Sequence, residues 1–337
     1  MEFDRRGLLK RALAGAGAVG AAQGLGAGLA PSWIAGAAAQ EAWPSRPVHV
    51  FIGFAPGSGA DVLCRYFTSK MQDTLGKTVV PENRPGAVGS IAINLAAKSK
   101  PDGHSVLFTG NTLLVAGRHL LKDFTIDYRQ DLMCCSGLFE TPFVLAVGAK
   151  SPAKDVQDLI RRLKAKPQNK YGYTNPAAMV AGYAFKAFAG AQAEGVSYRT
   201  TAEAVGDLES NMLDYQIMDG TFAGGQAKAG KLRILAATTE KRVSALPDVP
   251  TMGEQDVPDF EFSPWWAVWL PAGSPKPVAE KLGALVTEIG KRPETEKFLE
   301  GIVAMPVIGD PAYVLQRLDA DRKRWDKLAA AAGITPQ

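Results

Sequence analysis

The sequence predicts an α/β protein with parallel strands in two domains, on three observations. Apolar strand-like runs alternate with segments of helical periodicity through most of the chain. Val48–Phe54 is nearly continuous in apolar residues, as strands covered on both faces are. About 300 residues follow an N-terminal export segment, enough for two domains at roughly 100–200 residues each. A hydrophobic content of 46% excludes disorder over most of the 337 residues, and three cysteines exclude a disulfide-dense scaffold. The net charge is +4, and residues 1–39 carry half of it. The remainder is too weakly basic to call for a nucleic-acid or membrane-surface partner.

The elements are justified in chain order. Met1–Arg11 is basic, Ala12–Ala30 is uncharged and rich in Ala and Gly, and Ala37-Ala38-Ala39 offers small residues for cleavage. This is the layout of an export signal cut near Ala39. Arg5-Arg6 followed by Leu8-Leu9-Lys10 resembles the twin-arginine type, with Asp4 and Leu8 as departures from it. Gly15-Ala16-Gly17-Ala18-Val19-Gly20 fits the dinucleotide fingerprint but lies inside this segment, without the required βαβ context. In the mature chain, Val48–Phe54 is a strand, and Val62, Leu63, Tyr66, Phe67 and Met71 recur at helical spacing. Thr78–Val80 is a short strand, Asn83–Gly86 a turn, Ile91–Ala97 a helix and Ser105–Thr109 a strand. Alternation continues through Phe143–Val147, Val156–Leu163, Ala178–Phe188, Val196–Tyr198, Ala202–Glu209, Tyr215–Met218 and Ile234–Ala237. A Trp-rich strand, Trp265–Leu270, is followed by helices over about Val278–Lys291 and Ala312–Ala331. Asp310 is the expected N-cap of the last helix, with Pro311 at its first position. A long C-terminal helix packs back on an existing core, so the last quarter is expected to rejoin the first domain.

Catalytic motifs are scarce. His49, His104 and His119 stand far apart, without metal-ligand spacing. The Gly225–Lys231 stretch imitates a phosphate loop, but Leu232 stands where Ser or Thr must reach Mg²⁺, and the stretch lies on a helix ahead of a strand. Cys64 reads as core, and Cys134-Cys135 as two small residues near a strand. What remains is a set of helix starts just after strand ends. Ser58 and Asp61 have capping-box spacing, as do Thr200 and Glu203, and Asn175-Pro176 reads as a cap with Pro at the first helical position. Gly57 and Gly59 let backbone N–H groups face outward without a Cβ. Free N–H groups and the positive end of the helix dipole attract anions, and ligands of open α/β sheets bind at strand carboxyl ends. Three such starts in a two-domain protein point to a cleft that holds an anion.

On these residues the chain resembles the Bug-type extracytoplasmic solute receptors of tripartite tricarboxylate transporters. The blocks that carry the resemblance are Trp43–Val48, Phe54-Ala55-Pro56-Gly57-Ser58-Gly59-Ala60-Asp61, Glu82–Ala87, Pro101–Gly103, Ala229–Arg233, Leu246–Thr251 and Pro271–Pro275, in order across essentially the whole mature chain. The resemblance implies a two-lobe periplasmic binding-protein fold, each lobe a mostly parallel sheet flanked by helices. Lobe 1 would comprise residues 43–143 and 251–337, and lobe 2 residues 144–250. It also implies a monomeric, non-enzymatic periplasmic receptor with no cofactor, which closes on a small carboxylate and delivers it to the membrane permease subunits. By position, the ligand-binding residues would be Phe54, Gly57, Ser58, Gly59, Asp61, Gly86, Asn111, Thr112 and Leu113 of lobe 1, with Tyr173, Thr174, Asn175, Thr200, Thr201 and Asp219 of lobe 2. The chain departs from the family pattern at Ala55 and Ser58, at Leu113, Leu114, Val115 and Gly117, and at Met179. Polar partners are thereby lost. Tyr173, Leu113, Leu114 and Trp265 or Trp266 are therefore expected to favour an aromatic or aliphatic carboxylate. Two other readings are a periplasmic sensor feeding a histidine kinase, and an exported hydrolase or isomerase using Asp219 or Glu140.

Overall fold

The computed structural model describes residues 43–331 and 336; the export segment expected at residues 1–39 lies outside them. The first part of the chain forms β1 (Val48–Ile52), α1 (Gly59–Leu75), β2 (Val79–Asn83), α2 (Ser90–Ala97), β3 (Ser105–Gly110), α3 (Asn111–Leu120) and β4 (Leu132–Glu140). A second set follows: β5 (Phe143–Gly148), α4 (Val156–Ala165), β6 (Asn169–Tyr173), α5 (Pro176–Ala189), β7 (Ala193–Ser197), α6 (Thr201–Glu209), β8 (Tyr215–Asp219), α7 (Gly220–Lys228) and β9 (Leu232–Ala237). The chain then returns through β10 (Trp265–Pro271), α8 (Lys276–Gly290), α9 (Pro293–Gly301), β11 (Met305–Pro306) and α10 (Pro311–Ala331).

Two mixed sheets result, with strand orders β11-β4-β10-β3-β1-β2 and β7-β6-β8-β5-β9. The βαβ units pair in parallel, β2 and β3 on β1, and β7 and β8 on β6. The strands that carry the chain between the sheets, β4, β5 and β10, pair antiparallel with their neighbours. Helices α1 and α2 cover opposite faces of the first sheet. Leu63, Cys64 and Phe67 pack with Val50 and Ile52, whereas Ile93 and Ala96 pack with Phe51 and Leu107. Such two-sided cover is why these strands read as continuous apolar runs. Helix α10 begins as its sequence dictates, with the Asp310 carboxylate accepting from the Tyr313 N–H at 2.8 Å. It buries Val314, Leu318, Trp325 and Ala329 along one face.

Register fixes where the two sheets face each other. Both β3 and β4 are antiparallel to β10, so they run the same way and end together. Glu140 ends β4, and Phe143 starts β5 on the far side of Thr141 and Pro142. Phe143 lies opposite Asp219, the last residue of β8. The carboxyl ends of β1, β2 and β3 therefore point at the second sheet, and those of β6, β7 and β8 point back at the first. The return passage runs beside the outward one: Thr238 N–H donates to the Phe143 carbonyl, Phe262 N–H to the Thr238 carbonyl, and Thr141 N–H to the Pro264 carbonyl. The fully buried Thr238 hydroxyl lies 2.8 Å from the Phe143 carbonyl and 2.9 Å from the Phe262 carbonyl, its one proton shared between them, pinning the two passages together. One hydrophobic cluster spans both sheets, from Leu107 and Leu132 to Leu145 and Phe185, by way of Phe260, Phe262 and Trp325.

Candidate functional site: the gap between the sheets

From the first sheet, three strand-to-helix loops open on this gap. In the β1–α1 loop, Gly57 has φ +77°, a conformation that favours glycine. Ser58 caps α1 as its spacing indicates, its Oγ accepting from the Asp61 N–H at 3.3 Å. The Gly57 N–H, expected to face a ligand, instead donates to the Asp61 carboxylate at 2.8 Å. Asp61 is only 2% exposed and also accepts from Arg65 Nε at 2.9 Å and Asn83 Nδ2 at 2.9 Å. Asn83 Nδ2 donates in addition to the Phe54 carbonyl at 3.0 Å, and Arg65 Nη2 donates to Asn83 Oδ1 at 3.0 Å. Burial pushes the Asp61 carboxyl up, but hydrogen bonds from Arg65, the Gly57 N–H and Asn83 outweigh it and hold the group below its ordinary value. Asp61 is thus the brace of the loop, and Gly57 and Asp61 contribute to the gap through the shape they impose. Phe54, half-buried, lies tilted against Trp266 with centroids 5.3 Å apart; Gly59 is exposed at the first turn of α1.

The β2–α2 and β3–α3 loops differ from the first. Gly86, Ala87, Val88 and Gly89 all have positive φ, at 117°, 44°, 51° and 78°. A β-branched residue in that region is strained, and such strain collects where surrounding structure fixes a functional loop. Gly89 is the N-cap of α2 and Gly110 the N-cap of α3, and neither helix has a side-chain cap. The two starts are in contact: a Cβ on Gly89 would stand 2.5 Å from Leu113 Cδ1, and a Cβ on Gly53 would stand 2.9 Å from Gly89 Cα. By contrast α1, α4, α5, α6 and α7 all begin with a capping side chain. The first amides of a helix have no intrahelical partner; the Ser90 N–H of α2 donates back to the Ala87 carbonyl, so the two adjacent glycine-capped starts bring together the remaining first-turn amides and two positive dipole ends. Gly86 and Thr112 lie at this place, Thr112 half-buried with its Oγ1 3.4 Å from Asn111 Oδ1. The Asn111 and Leu113 side chains do not open on the gap. Asn111 is 5% exposed and bonded on both sides, to Asp321 at 2.7 Å and from the Trp265 N–H at 3.1 Å; Leu113 is buried.

From the second sheet, Asn175 caps α5, accepting from the Ala178 N–H at 2.9 Å, and Thr200 caps α6, accepting from the Glu203 N–H at 3.3 Å. Tyr173, Thr174 and Thr201 are half-buried beside them, and Tyr173 leans on Tyr171 with centroids 6.2 Å apart. Asp219 caps α7, accepting from the Phe222 N–H at 3.1 Å. Its burial raises the carboxyl's pKa, against the hydrogen bonds of Phe222 and Thr221. The expected residues of both lobes thus gather at facing strand ends, but Asp61, Asn111 and Asp219 spend their side chains on internal bonds.

The large apolar residues expected to shape a pocket also pack inside. Leu113, Leu114, Trp265 and Trp266 are all buried, Trp265 donating its indole N–H to Asp321 at 2.7 Å. The half-buried apolar groups at the loop ends are Phe54, Val88, Tyr173 and Met179. Glu140, named for acid–base chemistry, is buried and paired with Arg317. Cys64, Cys134 and Cys135 are free and buried, the last two inside β4. Sequence reasoning read Asn83 only as the start of a turn and passed over Asp321. For the bracing role of Asn83 the available signal was the i,i+4 spacing of Asp61 and Arg65, an ion pair needing a third partner; Asp321 gave none.

A pair of lobes whose strand carboxyl ends face one gap, joined by two adjacent passages, defines the two-lobed solute-binding class. Comparison with known proteins narrows it. Residues 63–334 match the model of the tripartite tricarboxylate transporter family receptor. A UPF0065 protein of Bordetella bronchiseptica is 31% identical over 306 residues, covering 89% of this chain and 90% of that one. BugT of Bordetella pertussis is 28% identical, covering 92% and 96%. Among solved structures, an R. palustris protein with adipate superposes with a TM-score of 0.76 at 28% identity, covering 88% of this chain and 100% of that one. The periplasmic binding protein BugD gives 0.72 at 27%, with coverage of 88% and 100%. The chain belongs to the tripartite tricarboxylate transporter receptor family.

Proposed function

We propose that the protein is a periplasmic receptor that captures a small carboxylate between its lobes and delivers it, unchanged, to the permease of a tripartite tricarboxylate-type transporter. The observation that carries this reading is the pair of touching, glycine-capped starts of α2 and α3 at the strand ends of one sheet, facing the starts of α5 and α6 on the other. Neutral main-chain donors and helix dipoles bind an anion without a charged side chain, and no acid or base has to be placed on the ligand. The lobes comprise residues 43–143 with 251–337, and 144–250. The export signal is of the twin-arginine type, cut near Ala39, and the mature protein is a monomer that closes about its two passages as ligand binds.

The bound acid has an aliphatic or aromatic body. Phe54, Val88, Tyr173 and Met179 supply half-buried apolar surface at the loop ends, and a family relative of 28% identity was solved with adipate. Titration calorimetry of the mature protein against adipate, benzoate, citrate and aspartate tests this. Adipate or benzoate binds in the low micromolar range or tighter; tight binding of citrate or aspartate alone refutes the apolar body, and turnover of any bound acid refutes the receptor.

A further inference from the structure

We propose that Asp321 of α10 is a positioning residue for the carboxylate subsite of lobe 1, holding the Asn111 side chain behind α3 so that the first amides of that helix stay uncapped. The inference rests on the receptor reading above. Asp321 lies on the third turn of α10, some 200 residues from the site in sequence, and is 8% exposed. Its Oδ2 accepts from Asn111 Nδ2 at 2.7 Å and from the Trp265 indole N–H at 2.7 Å, while Oδ1 faces Arg324 Nη1 at 3.4 Å. Asn111 Oδ1 accepts from the Trp265 backbone N–H at 3.1 Å. Both ends of the carboxamide are therefore fixed.

This matters because Asn111 is the first residue of α3. Asparagine at a helix start readily turns its oxygen onto the next amides, competing for the donors that an anionic ligand needs. Held by Asp321 and Trp265, it cannot do so, and Gly110 before it has no side chain to offer. The same carboxylate, with Arg324 donating to the Glu261 carbonyl at 2.6 Å, ties this helix start to the return passage at Glu261–Trp265.

Two variants separate positioning from simple support. Asp321→Ala removes the acceptor of both Asn111 Nδ2 and the Trp265 indole N–H, lowers the melting temperature, and frees Asn111 to turn onto the α3 amides, so adipate binding is expected to weaken at least tenfold. In the double variant Asp321→Ala with Asn111→Ala no carboxamide is left to compete for those amides: the melting temperature stays low while adipate affinity returns toward the wild-type value. Unchanged affinity in Asp321→Ala, or affinity in the double variant no better than in Asp321→Ala, overturns the inference while the receptor reading stands. A wild-type protein that binds none of the carboxylates overturns the receptor reading, and the inference with it.

Discussion

Gly89→Ala tests whether the contact of the two helix starts in lobe 1 is a packed junction. The position carries two separate costs. Its φ of 78° is left-handed, which costs an L-residue roughly 1–2 kcal/mol. The new Cβ would also stand 2.5 Å from Leu113 Cδ1 and 3.2 Å from Cγ, in a place where Leu113 is 7% exposed and has little room to give. Overpacking of this kind costs roughly 1–3 kcal/mol. The sum is about 3 kcal/mol, or a fall of about 10 °C in melting temperature at roughly 2–4 °C per kcal/mol for domains of this size. Gly57→Ala is the matched control, because its φ of 77° is nearly the same and nothing lies within 4 Å of the added Cβ. It carries the conformational cost alone, about 1–2 kcal/mol. The assay is thermal unfolding of both variants by circular dichroism, with calorimetric titration of adipate alongside. Gly89→Ala melts below Gly57→Ala and loses about tenfold in affinity, roughly 1.4 kcal/mol, because relief of the clash moves the α2 amides. Equal melting temperatures for the two variants refute the reasoning.

Three other outcomes are expected. Asp219→Asn keeps the cap on α7 and removes the charge. Since the folded carboxyl's pKa is raised, wild-type stability falls relative to this variant as pH rises through the raised value, and the two coincide in acid below the ordinary 3.8; a pH series of urea midpoints with no such divergence contradicts the assignment. Thr238→Val deprives the Phe262 carbonyl of its hydroxyl donor at the passages and costs about 1–3 kcal/mol in a urea titration; a cost below a few tenths shows that the pin is slack. Burial raises the Cys134 thiol and pushes Cys135 up to about 12, so neither reacts with a thiol reagent at pH 8 until the protein is unfolded; rapid labelling of native protein contradicts their burial in β4.

Local physics made much of this protein legible in its sequence. Ser58, Asn175, Thr200 and Asp310 are caps because a short polar side chain before an apolar-periodic run serves the amide three residues on, and each was readable from spacing. The apolar runs of β1, β5, β8 and β9 were readable because both faces of those strands are covered. Helix α3 was not, because it begins at a glycine and carries no cap signal, so Asn111, Thr112 and Leu113 came only from the family resemblance. The absence of a signal there is what leaves its amides open. The internal bonds of the Asp61, Asn111 and Asp219 side chains were not legible, for a common reason. Each is a polar group at a strand end, and only long-range partners such as Asn83 and Asp321, or its own helix start, decide whether it faces outward. Antiparallel pairing of β5 and β10 is likewise a matter of chain path between sheets, which alternation alone does not encode.

The apolar cluster that runs from Leu107 through Phe262 and Trp325 to Phe185 carries a consequence for how the molecule comes apart. Two bodies joined only by a pair of flexible straps would melt separately and give two heat-absorption peaks. Here one of the apolar layers is shared by both halves, and loss of either half uncovers it in the other. Heating is expected to give one calorimetric transition, and scission of a single passage leaves fragments that remain associated until the whole unfolds.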